Sequence, residues 1–345
     1  MLTNRQILIL QVTVDDFIQS AQPVGSRQIS KKKELSFSPA TIRNDMADLE
    51  ELGFLEKPHT SSGRIPSEKG YRYYVDHLLK PENIRQEDLF TIKSIFMEKM
   101  TETEELIKRS ATILSELTNY TSILLGPDVG KHKVKRFSIV PINSESAVAI
   151  IVTDEGHVEN RLFSIPENIA PSDLEKMVNI LNEKLTGTYL HDLHKKLENE
   201  TVHLFRQHIN RYGELFSSFR EVVWIEHEDK LFYGGKMNMF NQPEFHDVQK
   251  IKDFMGLLDE SEAIASIFHE RNKGIKIKIG TENKLDAMGD CSVITASYRV
   301  GDEQSGSIAI VGPKRMDYRR VVSILDLLSG SLSKELTRLL LADRH

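Results

Sequence analysis

The stretch Ser38-Pro39-Ala40-Thr41-Ile42-Arg43-Asn44-Asp45-Met46, with Gly53-Phe54-Leu55-Glu56-Lys57 and Thr60-Ser61-Ser62-Gly63-Arg64-Ile65 close behind it, decides how the N-terminal part of this chain folds. Ser38 is a good N-cap, and Pro39 suits the first helical position, where no amide donor is needed. Ile42, Met46, Leu49 and Leu52 then recur at i, i+4, i+7 and i+10, one apolar stripe. A step of 100° per residue puts Ala40, Arg43, Asn44 and Ala47 on the opposite face. Gly53 stops the helix as a C′ residue. One short strand over Phe54–Lys57 and its return at Arg64-Ile65 follow, with small polar residues between them.

Upstream, Ile7, Leu10, Val14, Phe17, Ile18 and Ala21 mark a first helix over about 3–21. Pro23 and Gly25 break it, and Ser26 is expected to cap a second helix to about Lys33. Three helices and a two-stranded ribbon in this order predict a winged helix-turn-helix, which lays its third helix in the major groove of DNA. Arginine reads guanine bidentately, and asparagine reads adenine in the same way. Arg43 and Asn44 are therefore the candidate base readers. Ala40 and Ala47 allow close approach, Thr41 and the capping Ser38 are further contacts, and Lys57, His59 and Arg64 are the candidate wing contacts. The plainer alternatives for Arg43 are a phosphate contact or an ion pair with Asp48. Lys31, Lys32 and Lys33 fit either a solvated helix end or a phosphate contact. Ser67 caps a further helix whose Tyr71, Tyr74, Val75 and Leu78 are read as packing groups that close a domain over 1–80.

Charge supports a division of labour. The formal net charge is −6, yet residues 1–80 hold 11 Lys+Arg against 10 Asp+Glu, leaving 34 and 41 for the remainder. The acidic excess lies outside the predicted DNA-binding head, so it does not veto binding. A single cysteine, Cys291, excludes an intramolecular disulfide framework. The absence of an apolar run of about 18 residues or a leader pattern predicts a cytoplasmic protein without a membrane span.

The rest of the chain reads as α+β and is long enough for two more domains. Residues 86 to about 119 form one long or broken helix. Strands near Val134–Ile142, Ala147–Thr153 and His157–Ile165 make a meander, with Asp154-Glu155-Gly156 as a turn. Ser172 and Glu175 suggest a capping box before Leu174, Met177, Leu181 and Leu185, with more helix to about Ser218. Further strands are expected at Val222–Ile225, Leu231–Gly234, Ile275–Ile279, Ser292–Val300 and Ser307–Val311. A last helix spans about 320–341.

Val24-Gly25-Ser26, the Ser38–Met46 helix and Pro58-His59-Thr60-Ser61-Ser62-Gly63-Arg64-Ile65-Pro66 resemble the N-terminal domain of the HrcA family, bacterial heat-inducible transcription repressors. The likeness continues through Tyr233-Gly234-Gly235, Ile279-Gly280-Thr281-Glu282-Asn283 and Gly312-Pro313-Lys314-Arg315-Met316-Asp317-Tyr318, and so spans almost the whole chain. The resemblance implies a repressor of chaperone operons, a homodimer on an inverted-repeat operator, kept active by the GroEL chaperonin. It also implies a winged-helix domain over 1–80, a GAF-like domain over 86–129 and 222–345, and an inserted dimerisation domain over 130–221.

Other function classes fare worse. Cys291 has no base assigned to it, and a lone cysteine is usually a small buried hydrophobe. His191, His194, His203 and His208 lack the acidic partners that orient the ligands of a metal site. No Walker, Rossmann or serine-hydrolase motif is present, so no enzyme, cofactor or metal is expected. A ligand-sensing repressor is the nearer competitor, because GAF-like folds enclose small molecules.

Overall fold

The computed structural model describes residues 2–342 apart from 33–35, 59–62, 81, 98–102, 128–131, 155–157, 168, 210, 224–229, 269–273 and 301–303. His59, Lys33 and the tip of the ribbon turn therefore lie outside the described residues. The chain is a mixed α+β structure that divides into two compact units. The first holds Met1–Gly126, Lys230–Arg299 and Ser305–Leu336; the second holds Pro127–Asp229, Val300–Gln304 and Thr337–His345.

In the first unit an N-terminal head comprises α1 (Asn4–Ser20), α2 (Ser26–Ile29), α3 (Pro39–Glu51), β1 (Leu55–Glu56), β2 (Ile65–Pro66) and α4 (Glu68–Tyr73, continued by a wider turn to Leu78). Thr3 and Gln6 form a capping box at the start of α1. The buried Ile9, Leu10, Val14, Ile29, Ile42, Met46 and Leu49 make the head's core. Gly53 adopts φ 78°. Its amide reaches Glu50 O at 2.9 Å while the Phe54 amide reaches Leu49 O at 2.8 Å, so two of the carbonyls at the end of α3 are satisfied. Glycine is required again at Gly70, where a Cβ would lie 2.1 Å from the Phe54 carbonyl oxygen.

Two local expectations change here. Gly25, not Ser26, is the N-cap of α2, and it makes no side-chain hydrogen bond. Nor does the helix continue to Lys33: the Lys31 and Lys32 amides bond three residues back, to Gln28 O and Ile29 O, the tighter winding that ends short helices.

Also in this unit are α5 (Gln86–Met97), α6 (Thr103–Thr118), β3 (Thr121–Leu125), β7 (Leu231–Gly234), α11 (Val248–Asp259), α12 (Ser261–Ser266), β8 (Lys276–Ile279) and all but the end residues of β9 (Cys291–Val300), β10 (Gln304–Pro313) and α13 (Tyr318–Ala342, through Leu336). The helix expected over 86–119 as one long or broken element is described over Gln86–Met97 and Thr103–Thr118. The strands form one sheet in the order β7-β3-β10-β9-β8. Alternate residues serve its two faces. Ile123, Leu125, Ala309, Val311, Cys291 and Val293 join a core with Phe245, Phe254 and Leu258. On the other face Ser122 donates to Ala111 O of α6 at 2.6 Å, and Ser292 meets Tyr318 of α13 at 2.7 Å.

The second unit contains β4 (Val134–Pro141), β5 (Ser146–Thr153), β6 (Val158–Ser164), α7 (Pro171–Leu185), α8 (Leu193–Lys196), α9 (Val202–His208) and α10 (Tyr212–Val223). Its antiparallel sheet runs β4-β5-β6. One face, with Phe137, Ala149, Ile151 and Phe163, packs on Met177, Leu181, Phe205 and Phe219. The expected Ser172–Glu175 capping box is absent: Pro171 already occupies the first turn of α7, with Ala170 as N-cap. A strand at Val222–Ile225 is overturned for its first two residues. Buried Leu215 and Phe219, at i and i+4, hold the segment helical through Val223 despite the β-branched valines; residues 224–229 lie outside the described set.

Gly70→Ala should destabilise the head by about 1–3 kcal/mol, because the clash is with backbone and no side chain can yield. Urea titration followed by hydrogen exchange in α1 and α3 checks this; unchanged protection would show that the ribbon–α4 approach is not tight.

Candidate nucleic-acid interface

Burial of Ile42, Asp45, Met46 and Leu49 fixes the rotation of α3. The opposite strip is at the surface: Ala40, Arg43 and Asn44 are exposed, while Thr41 and Ala47 are half-buried. Ser38 is exposed too, but its hydroxyl is already used. It accepts from the Thr41 amide at 3.1 Å and shares a 2.9 Å hydrogen bond with the Thr41 hydroxyl. Lys57, just beyond β1, is exposed.

Acidic residues on α3 threaten this surface, since carboxylates repel phosphate. Three of them are occupied. Asp45 is buried and takes two hydrogen bonds from Arg5, at 2.6 and 3.1 Å. Asp48 accepts from Gln6 Nε2 at 3.2 Å. Glu50 accepts from Arg64 Nε at 2.6 Å. The alternative in which Asp48 captures Arg43 does not occur: Arg43 makes no ion pair among the described residues. The nominal charge of α3 thus understates how well its outer strip suits an anionic partner.

Arg64 departs from its expected setting. Its side chain is only 17% exposed, pinned to Glu50, while its backbone exchanges two 2.9 Å hydrogen bonds with Val24. It ties the ribbon's base to α3 and to the α1–α2 connection. Of the lysine run, Lys31 is exposed, whereas Lys32 bonds the buried Asp16, which also accepts from Gln28 Nε2 at 3.2 Å. Lys32 therefore joins α2 to α1. Lys69 serves the end of α3 in a similar way, donating to Leu52 O at 2.8 Å with its ammonium 4.6 Å from the Phe54 ring centroid. Sequence spacing did not reveal these supporting pairs, because their partners lie 12 to 42 residues apart. The tyrosines pack as expected: Tyr71 and Tyr74 are buried.

Features suited to other chemistry are weak. Cys291 is buried in the sheet core, and burial, reinforced by Asp290, pushes its thiol up to about 12. His194 lies 3.6 Å from Glu198, and His191 lies 3.4 Å from Asp192. Among the described residues no three His, Cys, Asp or Glu side chains converge to hold a metal. No described helix is long and apolar enough to cross a membrane.

Residues 104–322 match the family model for the HrcA protein C-terminal domain. The chain is 59% identical over 339 residues to the heat-inducible transcription repressor HrcA of Lysinibacillus sphaericus, covering 98% of this chain and 99% of that protein. It is 52% identical over 340 residues to the repressor of the same name from Bacillus pumilus strain SAFR-032, with the same two coverages. A crystal structure of a hypothetical protein at 2.2 Å resolution shares the fold, with a TM-score of 0.64 and 23% identity over 98% of this chain and all of that one.

Because Cys291 is buried and held protonated, a thiol-alkylating reagent at pH 8 should modify it at a small fraction of the rate seen in urea-unfolded protein. Equal rates in the two states would place the thiol at an accessible, activated position instead.

Proposed function

Since the chain belongs to the HrcA family of heat-inducible transcription repressors, which are not enzymes, we propose that it represses chaperone operons by binding an inverted-repeat operator as a homodimer. On this reading residues 1–80 are a winged helix-turn-helix. Residues 86–129 and 222–345 form a GAF-like domain, and 130–221 an inserted dimerisation domain. The observation that carries the DNA side is the surface strip Ala40–Arg43–Asn44–Ala47 with Asp45, Asp48 and Glu50 tied to other partners.

The two small residues let α3 approach the base edges. Arg43 supplies two parallel donors for guanine O6 and N7, and Asn44 supplies a donor and an acceptor for adenine. Ser38 and Thr41 sit beside the N-terminus of α3, whose partial positive charge favours a phosphate there. Lys57 and His59 complete the contact from the ribbon. Arg64 contributes by holding the base of that ribbon against α3.

An inverted repeat demands a two-fold related pair of heads. Support for a homodimer comes from the second face of the β4-β5-β6 sheet. Register places Val148 between Val140 and Leu162, and Val152 beside Val158. Val140, Val158 and Leu162 are each about half exposed or more, and half-buried Val148, Ile150 and Val152 lie on the same face. Such a contiguous apolar face is costly in water and suits a second copy of itself. Maintenance of the active dimer by the GroEL chaperonin follows from the family likeness. It also fits a repressor whose folded state is marginal enough in stability for heat to shift its active population.

Purified protein titrated with operator and scrambled duplexes across a salt series, with and without GroEL, tests the proposal. Selective binding that GroEL raises supports it; equal weak binding to both duplexes in every condition would refute it. Arg43→Ala should cost about 1–3 kcal/mol on the operator and little on the scrambled duplex. A uniform loss with a flatter salt dependence would reduce Arg43 to a phosphate contact. Leu162→Glu, on the exposed sheet face, should convert dimer to monomer in sedimentation velocity without loss of far-UV circular dichroism; an unchanged dimer would place the interface elsewhere.

A further inference from the structure

Among the described residues of the first unit, an extended polar network joins the head to the sheet body and touches none of the exposed residues of the α3 strip. On the head it uses α1 and α4. Asp15 accepts from Tyr74 OH at 2.6 Å and from Arg319 Nη2 at 3.1 Å, and the Arg319 guanidinium carbon lies 5.4 Å from the Tyr74 ring centroid. Glu68 accepts from the Thr281 hydroxyl at 2.6 Å, the Thr281 amide at 3.2 Å and Lys314 Nζ at 3.1 Å. Arg72 pairs with Glu282 and donates to Ile277 O at 2.7 Å. Arg315, 12% exposed, reaches Ile18 O at 3.3 Å while bonding Glu244 at 2.5 Å and Gln242 at 3.1 Å.

Two of the stretches that carry the family likeness, residues 279–283 and 312–318, supply much of the body's side of this clasp. Each is shaped for it. Gly280 has φ 55°, and a Cβ there would fall 2.0 Å from the Glu68 carboxylate. Tyr318 donates to Lys314 O at 2.5 Å and receives a hydrogen bond from Ser292, which fixes the turn bearing Lys314 and Arg315. Burial works against ionisation of Glu68, yet the Thr281 and Lys314 hydrogen bonds outweigh it and hold its carboxyl below the usual value.

We propose that this clasp is a positioning device that fixes the orientation of the DNA-reading head on its body, and that Glu68, Arg72, Arg315 and Arg319 thereby set which operator spacing the protein accepts. The proposal rests on the operator-binding reading above. Occlusion is not the clasp's role, because Ala40, Arg43 and Asn44 remain exposed while the head is docked. A head held at several points on two of its helices has one orientation; a head held only through residues 79–85 would sample many. Single-orientation heads bind two half-sites together at one spacing and lose that bivalency at others.

The experiment uses full-length protein with Arg315→Ala, Arg72→Ala and the milder Glu68→Gln, each compared with wild type on three duplexes: the operator, the operator with its spacer lengthened by half a helical turn (about 5 base pairs), and a single half-site. The expected result is unchanged half-site affinity, with the preference for the native spacer reduced roughly tenfold, or about 1.4 kcal/mol. Glu68→Gln keeps the shape of the clasp and tests it even if an alanine variant folds poorly. A merely structural role would lower half-site affinity along with everything else, and that pattern overturns the proposal. Identical spacer preference in wild type and all three variants also overturns it. A wild type that does not distinguish operator from scrambled duplex would overturn the operator-binding reading itself, and the clasp's assigned role with it.

Discussion

Burying Ile42, Met46 and Leu49 against α1 and α2 is the constraint on which the head depends. A helix has one rotation about its axis, so committing that stripe to the core leaves Ala40, Arg43, Asn44 and Ala47 on the outer side. Asp45 lies on the buried side of the same helix, and an unpaired carboxylate there would cost several kcal/mol. Arg5 removes that cost with two hydrogen bonds from α1. The same pair fastens α1 to α3, so one interaction settles both an electrostatic and a packing problem.

Glu50–Arg64 and Asp16–Lys32 repeat this logic at the ribbon and at α2. Each ties a carboxylate of the head to a cation of the same head. The result is a head with almost no net charge whose cations are divided between two tasks. Arg5, Lys32 and Arg64 hold the scaffold; Arg43 stands exposed on the outer strip of α3. A count of charges along the chain cannot make that division, since it depends on which carboxylate each cation meets.

The body contributes a sheet with both faces covered and a turn, 312–318, that reaches out from it. Packing explains why the turn is rigid: Tyr318 is fully buried and bonded at its hydroxyl, Met316 is buried, and the Asp317 amide meets Tyr120 OH at 3.3 Å. Rigidity at that turn is what allows Lys314 and Arg315 to grip the head. In the second unit helices cover one face of the sheet, and apolar residues of the other face remain at the surface.

Local sequence was informative about features that depend on neighbours three or four residues away. The caps at Ser38 and Ser67, the stop at Gly53 and the α3 stripe through Leu49 were legible, because capping and periodicity are short-range properties; Leu52, expected on that stripe, is instead the C-cap of α3 and 47% exposed. Where two short-range signals competed, the sequence misled: Pro171 prevailed over the Ser172–Glu175 box, and the helical stripe through Phe219 prevailed over Val222-Val223. Which of the candidate DNA contacts are exposed and which are structural was decided only by the tertiary fold. Arg64 reads in sequence like an exposed wing residue and proves to be held by Glu50; Lys314 and Arg315 read as a strand-to-helix turn and grip residues nearly 250 and 300 positions away. Ion pairs across such separations leave no periodic trace in the chain. They exist only once hydrophobic burial has brought the elements together.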